Sequence, residues 1–165
     1  GHGYFANVYQ LRPDSRGEIA LRSANLLTAP LIQPDYLSAP ADIAALRRGV
    51  RLLREIFSQA AFGPYRGAER NPGPDVQSDA DLDRWIRTQA TTVFHPVGTC
   101  AMGNGTMAVV DGRLRVHGID ALRVADASVM PAIPGCNTNA PSMMIGARAA
   151  DFVAESLGAR TMPQP

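Results

Sequence analysis

Prolines and glycines set the first limit on what this chain folds into. Thirteen prolines and fifteen glycines gather between residues 61 and 75 and again between 96 and 141. Proline lacks an amide hydrogen and fixes its own φ, and glycine favours turns. Long helices are therefore confined to three places outside those stretches. The stretches themselves read as long ordered connections, which in many folds carry function.

Residues 41–59 give the clearest helix. Ile43, Leu46, Val50, Leu53 and Phe57 recur at three- and four-residue intervals and make one apolar stripe. Arg47, Arg48, Arg51 and Arg54 lie mainly off it and read as a solvated face rather than an anion site. Residues 61–77 are expected to be loop. A second helix starts near Ser78, where Ser78 and Asp81 fit a capping box, with Leu82, Trp85 and Ile86 as its buried face. The last helix spans about Pro141 to Leu157, with Ile145, Ala149, Phe152 and Val153 available to pack. Asn139 suits its cap, Pro141 its first turn and Gly158 its end.

The strand signals are weaker. Residues 4–12 and 17–23 read as strands of a β-hairpin, with turn chemistry in Asp14, Ser15, Arg16 and Gly17. Pro30–Leu37 is expected to be extended. Residues 93–137 hold short apolar runs broken by glycine, the pattern of short strands and tight turns. The residues alone support a soluble α+β domain.

Composition excludes several classes. At 165 residues, 45% hydrophobic and 19% charged, the chain has an ordinary globular mixture. A net charge of +1, without a basic block, gives no case for nucleic acid. No apolar run approaches the roughly 20 residues that span a bilayer, and no signal-peptide pattern opens the chain. Cys100 and Cys136 make no disulfide framework, so a reducing, cytoplasmic setting is the default. Both are expected to be inert thiols.

Gly98 and Gly103 stand at P-loop spacing, but Asn104 occupies the lysine position, and no dinucleotide fingerprint follows a strand. His2, His95, His117, Cys100 and Cys136 lack metal-site spacing, so no metal is expected. A hydrolase elbow is absent. What is left is His95, held extended by Pro96 ahead of Gly98, and Asn137. Taken alone, a histidine in such a loop is a structural hydrogen-bonder more often than a catalyst, and Asn137 reads as a turn residue.

The second half nonetheless carries long runs of specific text. These are Phe94-His95-Pro96-Val97-Gly98-Thr99-Cys100-Ala101-Met102-Gly103, Leu114-Arg115-Val116-His117-Gly118 and Leu122-Arg123-Val124-Ala125-Asp126-Ala127-Ser128-Val129-Met130-Pro131. Asn137-Thr138-Asn139-Ala140-Pro141 and Met143-Met144-Ile145-Gly146 follow. Nearly continuous from 94 to about 153, they resemble the C-terminal region of the glucose–methanol–choline (GMC) oxidoreductases, in the choline-dehydrogenase-like branch. Leu11–Gly17 and Leu21-Arg22-Ser23 resemble that family's substrate-domain strands, less specifically.

The resemblance implies an α+β architecture. Residues 1–92 would be part of an antiparallel-sheet substrate domain. Residues 93–165 would carry the active-site loop and the last strand and helix of an FAD-binding α/β domain. It implies oxidation of a primary alcohol with FAD as hydride acceptor. His95 falls at the active-site histidine and Asn137 at its partner. Asp126 and Ala127 fall near the FAD phosphate and ribityl region, and Thr138 and Asn139 near the isoalloxazine ring. The family's N-terminal FAD-binding half is absent from this sequence. The chain is therefore expected to be a fragment, one half of a split enzyme, or a stand-alone non-catalytic binding domain. A piece cut from a flavin domain should leave Met143-Met144-Ile145 and the 122–130 run exposed; covered, they would favour the stand-alone reading.

Overall fold

The computed structural model describes residues 2–158, so residue 1 and residues 159–165, the outer ends of the two expected domains, lie outside it. The chain is α+β and divides into two units, Gly1–Val93 and Phe94–Pro165.

The first unit is organised by α1 (Pro40–Ser58). Its stripe is covered from one side by residues 4–15, which do not form the expected hairpin strand. Tyr4 packs edge-on against Phe57, with ring centroids 5.0 Å apart, and both rings meet Phe62. Val8 sits against Gly49, and Asp14 and Ser15 donate to Asp42 near the start of the helix. The spacing explains this course. Four extended residues cover about 13 Å, close to the ~12 Å of eight helical residues, so Tyr4 to Val8 keeps pace with Phe57 back to Gly49. The alternating pattern read as a strand is an extended segment laid antiparallel along a helix.

The true pairing is local. Strand β1 (Glu18–Ala20) pairs antiparallel with β2 (Leu31–Gln33), placing Ile19 opposite Ile32. Gly17 leads into β1 where a side chain would collide with the carbonyls of Gln33 and Pro34. Asp14–Gly17 therefore serve as an anchor to α1 and an entry to β1, not as a hairpin turn.

A 3-10 turn at Ala60–Tyr65 interrupts the expected loop, and α2 spans Asp79–Gln89. Half of the capping box is present: the Ser78 hydroxyl oxygen accepts from the Asp81 amide at 3.1 Å, while the Asp81 carboxylate accepts the Ser78 hydroxyl proton rather than the Ser78 amide. Leu82 and Ile86 are buried. Trp85 is only half-buried; its Nε1 donates to Asn71 Oδ1 at 2.9 Å and its ring lines a shallow hollow. The arginine face is not simply solvated. Arg47 bonds Asp83 at 2.6 Å, Arg51 pairs with Asp79, and Arg54 reaches Glu69 and the Gly73 carbonyl. These pairs tie α1 to α2 and to the loop before it. Spacing on one helix cannot reveal partners supplied by another.

The second unit is built of turns around one helix, α3 (Asn139–Ser156). Val110, Leu114, Val129, Met130, Ile145 and Ala149 form its core, with Phe152 half-buried beside them. Val153, expected to pack, is exposed, although it lies one turn beyond buried Ala149. The short strands are isolated bridges, Met102 with Val110, Val110 with Val116, and Arg115 with Arg123. Arg123 donates to the Arg113 carbonyl at 2.6 Å and to Ser156 Oγ at 2.8 Å. Arg113 pairs with Glu155 and lies over the Phe152 ring. These two arginines hold the end of α3 to the 110–123 turns.

Met143 and Met144 are 63% and 60% exposed, and Leu122 is exposed too, whereas Ile145, Val129 and Met130 are buried. The apolar surface expected to be uncovered is thus present on one side of α3 and only partial along the 122–130 run, where Leu122 and Ala125 are exposed and Val129 and Met130 are buried. No described helix is long and apolar enough to cross a membrane.

Candidate active site

His95 lies in a loop shaped by its main chain. Phe94, just before it, has φ 60°, and Gly98, three residues on, has φ 92°. The first is uncommon for a residue with a side chain; glycine adopts the second at no steric cost. The amides of Gly98 and Cys100 both donate to the Ser128 carbonyl, at 3.1 and 3.0 Å, and Met102 donates to the Val129 carbonyl at 2.9 Å. The loop is therefore clamped to the 128–130 segment, whose Val129 and Met130 side chains are in the core.

Across 43 residues of sequence, His95 Nδ1 lies 2.9 Å from Thr138 Oγ1. Thr138 is the N-cap of α3 and is 8% exposed. The expected cap, Asn139, is instead the first helical residue. Thr138 makes no side-chain cap bond, although capping is the usual use of a threonine there; its hydroxyl is at His95. The Thr138 carbonyl accepts from the Ser142 amide and, at 2.6 Å, from the Ser142 hydroxyl. No acidic residue occupies the first turn of α3. The Asn139 and Ala140 amides are among those a helix leaves without an internal partner, and Pro141 has no amide hydrogen.

The structure thus brings together His95 and Thr138, with Asn137 and Asn139 flanking on the exposed side. The Asn137 side-chain amide has no hydrogen-bond partner among the described residues. Asp126 accepts from the Ser128 amide at 2.8 Å and caps the short turn Ala127–Val129, on the segment that clamps the His95 loop. Cys100 is half-buried and Cys136 exposed, and both are free. His117 Nε2 lies 3.0 Å from the Gly103 carbonyl, a turn contact. Among the described residues no group of three or more His, Cys, Asp or Glu is arranged to hold a metal. The Thr138 hydroxyl contact is the feature that sequence reasoning missed. Its one signal is a threonine at a helix start whose hydroxyl has a histidine in reach, which only the fold reveals.

A family profile described as GMC oxidoreductase matches residues 13–146. The chain belongs to the GMC oxidoreductase family. It is 50% identical over 92% of its length to an oxygen-dependent choline dehydrogenase from Brucella anthropi, of which it spans 28%. Two solved structures are similar. A fungal aryl-alcohol oxidase has a TM-score of 0.82 and 34% identity over 90% of this chain and 25% of its own. An FAD-dependent oxidoreductase from Chaetomium thermophilum has a TM-score of 0.85 and 29% identity over 91% of this chain and 26% of its own. The chain thus spans between a quarter and a third of the length of these relatives.

Proposed function

We propose that this chain is the C-terminal part of an FAD-dependent oxidoreductase and carries its alcohol-oxidising residues, with the N-terminal FAD-binding half supplied by the same polypeptide or by a second chain. The observation that carries the reading is the junction of the His95 loop with the start of α3, in a chain whose relatives include a choline dehydrogenase and an FAD-dependent oxidoreductase. In this reading residues 1–92 belong to the substrate domain and 93–165 return to the FAD domain.

The residues present fit the cofactor. The first-turn amides of α3 are free of acidic neighbours and of a side-chain cap, so they offer about half a positive charge to an electron-rich ring. Thr138 and Asn139 would lie along that ring, and Asp126 and Ala127 toward the ribityl and phosphate groups. FAD, when bound, supplies the two-electron acceptor for the hydride of the alcohol carbon. His95 Nε2 takes the hydroxyl proton, and the Asn137 amide holds the same oxygen in place. The product is the carbonyl compound. Exposed Met143 and Met144 support a further protein surface covering α3, and so this reading over a stand-alone binding module.

The substrate class is a primary alcohol, and choline is the first to assay because of the Brucella relative. The test is anaerobic flavin reduction by stopped-flow absorbance in the FAD-loaded protein containing this segment. His95→Ala is expected to slow reduction about 10²–10⁴-fold, the range for loss of a general base, with the visible flavin spectrum retained. Asn137→Ala should slow it less. Unchanged reduction in His95→Ala sinks the assignment.

A further inference from the structure

We infer that Thr138 is a positioning residue that fixes the tautomer of His95: its hydroxyl accepts a hydrogen bond from Nδ1–H and leaves the Nε2 lone pair as the proton acceptor. The inference rests on the function proposed above and adds a residue to it.

Three observations carry it. First, Thr138 is the only inward-facing member of Asn137-Thr138-Asn139; it is buried while its neighbours are exposed. Second, its hydroxyl is withheld from the cap of its own helix and lies 2.9 Å from Nδ1. With φ −83° and ψ −2°, Thr138 has left the extended geometry of a capping residue, and its hydroxyl meets the imidazole instead. Third, Nε2 has no protein partner among the described residues, so Nδ1 is the nitrogen through which the fold holds the ring.

A hydroxyl can donate or accept, so the direction of the bond follows from the base role proposed for Nε2. A neutral imidazole has one N–H and one bare nitrogen, and the partner of one sets the role of the other. With the proton on Nδ1, Nε2 accepts the alcohol proton, and the resulting imidazolium still donates from Nδ1 to the same oxygen. The contact therefore survives the proton transfer without rearrangement. In the reverse arrangement Nε2 carries the hydrogen and has no lone pair to offer. Threonine suits this task better than serine because its branched Cβ leaves the oxygen fewer χ1 positions.

The decisive measurement is the ring tautomer itself, from long-range ¹H–¹⁵N correlation spectra of His95 at a pH where the imidazole is neutral. The wild-type chain should show the proton on Nδ1. Thr138→Val keeps the shape but removes the oxygen, and should yield a mixture or the opposite tautomer; Thr138→Ser should restore most of the wild-type pattern. In the FAD-loaded protein, Thr138→Val should lower kcat for flavin reduction about 10–100-fold, by analogy with the loss when the orienting partner of a metal-binding histidine is removed. KM should change little, and Thr138→Ser should recover most of the rate. A wild-type ring with the proton on Nε2 overturns the inference even if no variant folds. So does a folded Thr138→Val chain with an unchanged tautomer. A locked tautomer together with full flavin reduction in His95→Ala would instead overturn the functional reading beneath it.

Discussion

Asp42 gives the sharpest test of how the first unit is held. Its carboxylate is 2% exposed and accepts from the Asp14 amide at 2.9 Å, the Ser15 amide at 2.8 Å and the Ser15 hydroxyl at 2.5 Å, with Gln10 Nε2 at 3.5 Å. It also sits in the first turn of α1, where negative charge is favourable. A hydrogen bond to a charged group contributes about 1.5–3 kcal/mol, and a part-buried donor left without a partner costs about 1–3 kcal/mol. These terms overlap, so Asp42→Ala is expected to destabilise by about 3–4 kcal/mol, and Asp42→Asn, which keeps one acceptor oxygen, by about 1–2 kcal/mol. The assay is urea unfolding followed by far-ultraviolet circular dichroism, comparing midpoints at unchanged slope. The pH dependence adds a second check. Burial raises the Asp42 pKa, but the hydrogen bonds from Ser15, Asp14 and Gln10 outweigh it and hold it below its ordinary value of 3.8. A depressed folded-state pKa means the contribution is complete above 3.8 and lost as pH falls through the lower folded value. The gap between wild type and Asp42→Asn should therefore shrink on acidification below about 4. A loss under about 1 kcal/mol in Asp42→Ala, or a gap constant down to strong acid, would refute the anchoring argument.

Gly17→Ala should unfold the β1–β2 pair, at a cost at the upper end of the ~1–3 kcal/mol seen for overpacking, because the new Cβ meets backbone at Gln33 and lies 2.6 Å from the Pro34 carbonyl. At Gly49→Ala the nearest atoms are those of the Val8 side chain rather than backbone, and alanine favours the helix, so its loss in thermal unfolding should be the smaller of the two. Asp111 accepts from the Arg115 and Arg113 amides and from the Arg115 guanidinium, which lower its pKa from 3.8 to about 2. A carboxyl ¹³C titration should place its midpoint near 2, and the 111–115 turn should loosen only as pH falls through that value.

The helices were legible because their signals are local. The stripe on α1, the Ser78–Asp81 cap of α2 and Gly158 (φ 70°) just past α3 each sit within a few residues of what they determine. The hairpin reading failed because alternation along residues 4–12 cannot say whether its apolar side meets a strand or a helix. Asp42 was passed over for the same reason: an aspartate in a first turn is ordinary until the donors arriving from residues 10–15 are seen. His95 and Asn137 were singled out by family resemblance, not by periodicity. The Thr138 contact spans 43 residues and had no local trace at all.

The second unit shows why hydropathy patterns carry so little about such a site. Its shape depends on main-chain contacts: Gly98 and Cys100 share one carbonyl, Met102 takes the next, and Val116 and Val124 bond the Leu122 and Leu114 carbonyls. Main-chain bonds do not depend on which side chain a residue carries, so positions such as Cys100 and Met102 hold the loop without specifying it. Specification falls to a few residues with unusual demands. Gly98 adopts a φ that other residues avoid, Pro96 restricts His95 before the turn, and the Thr138 hydroxyl meets the imidazole. A site built this way is stiff where the backbone is clamped to the Val129–Met130 core and open where Asn137 is exposed beside half-buried His95. That combination suits the orienting of the alcohol proposed above. The information for it lies in individual residues with conformational or hydrogen-bonding peculiarities, each of which looks like an ordinary loop residue until its distant partner is known.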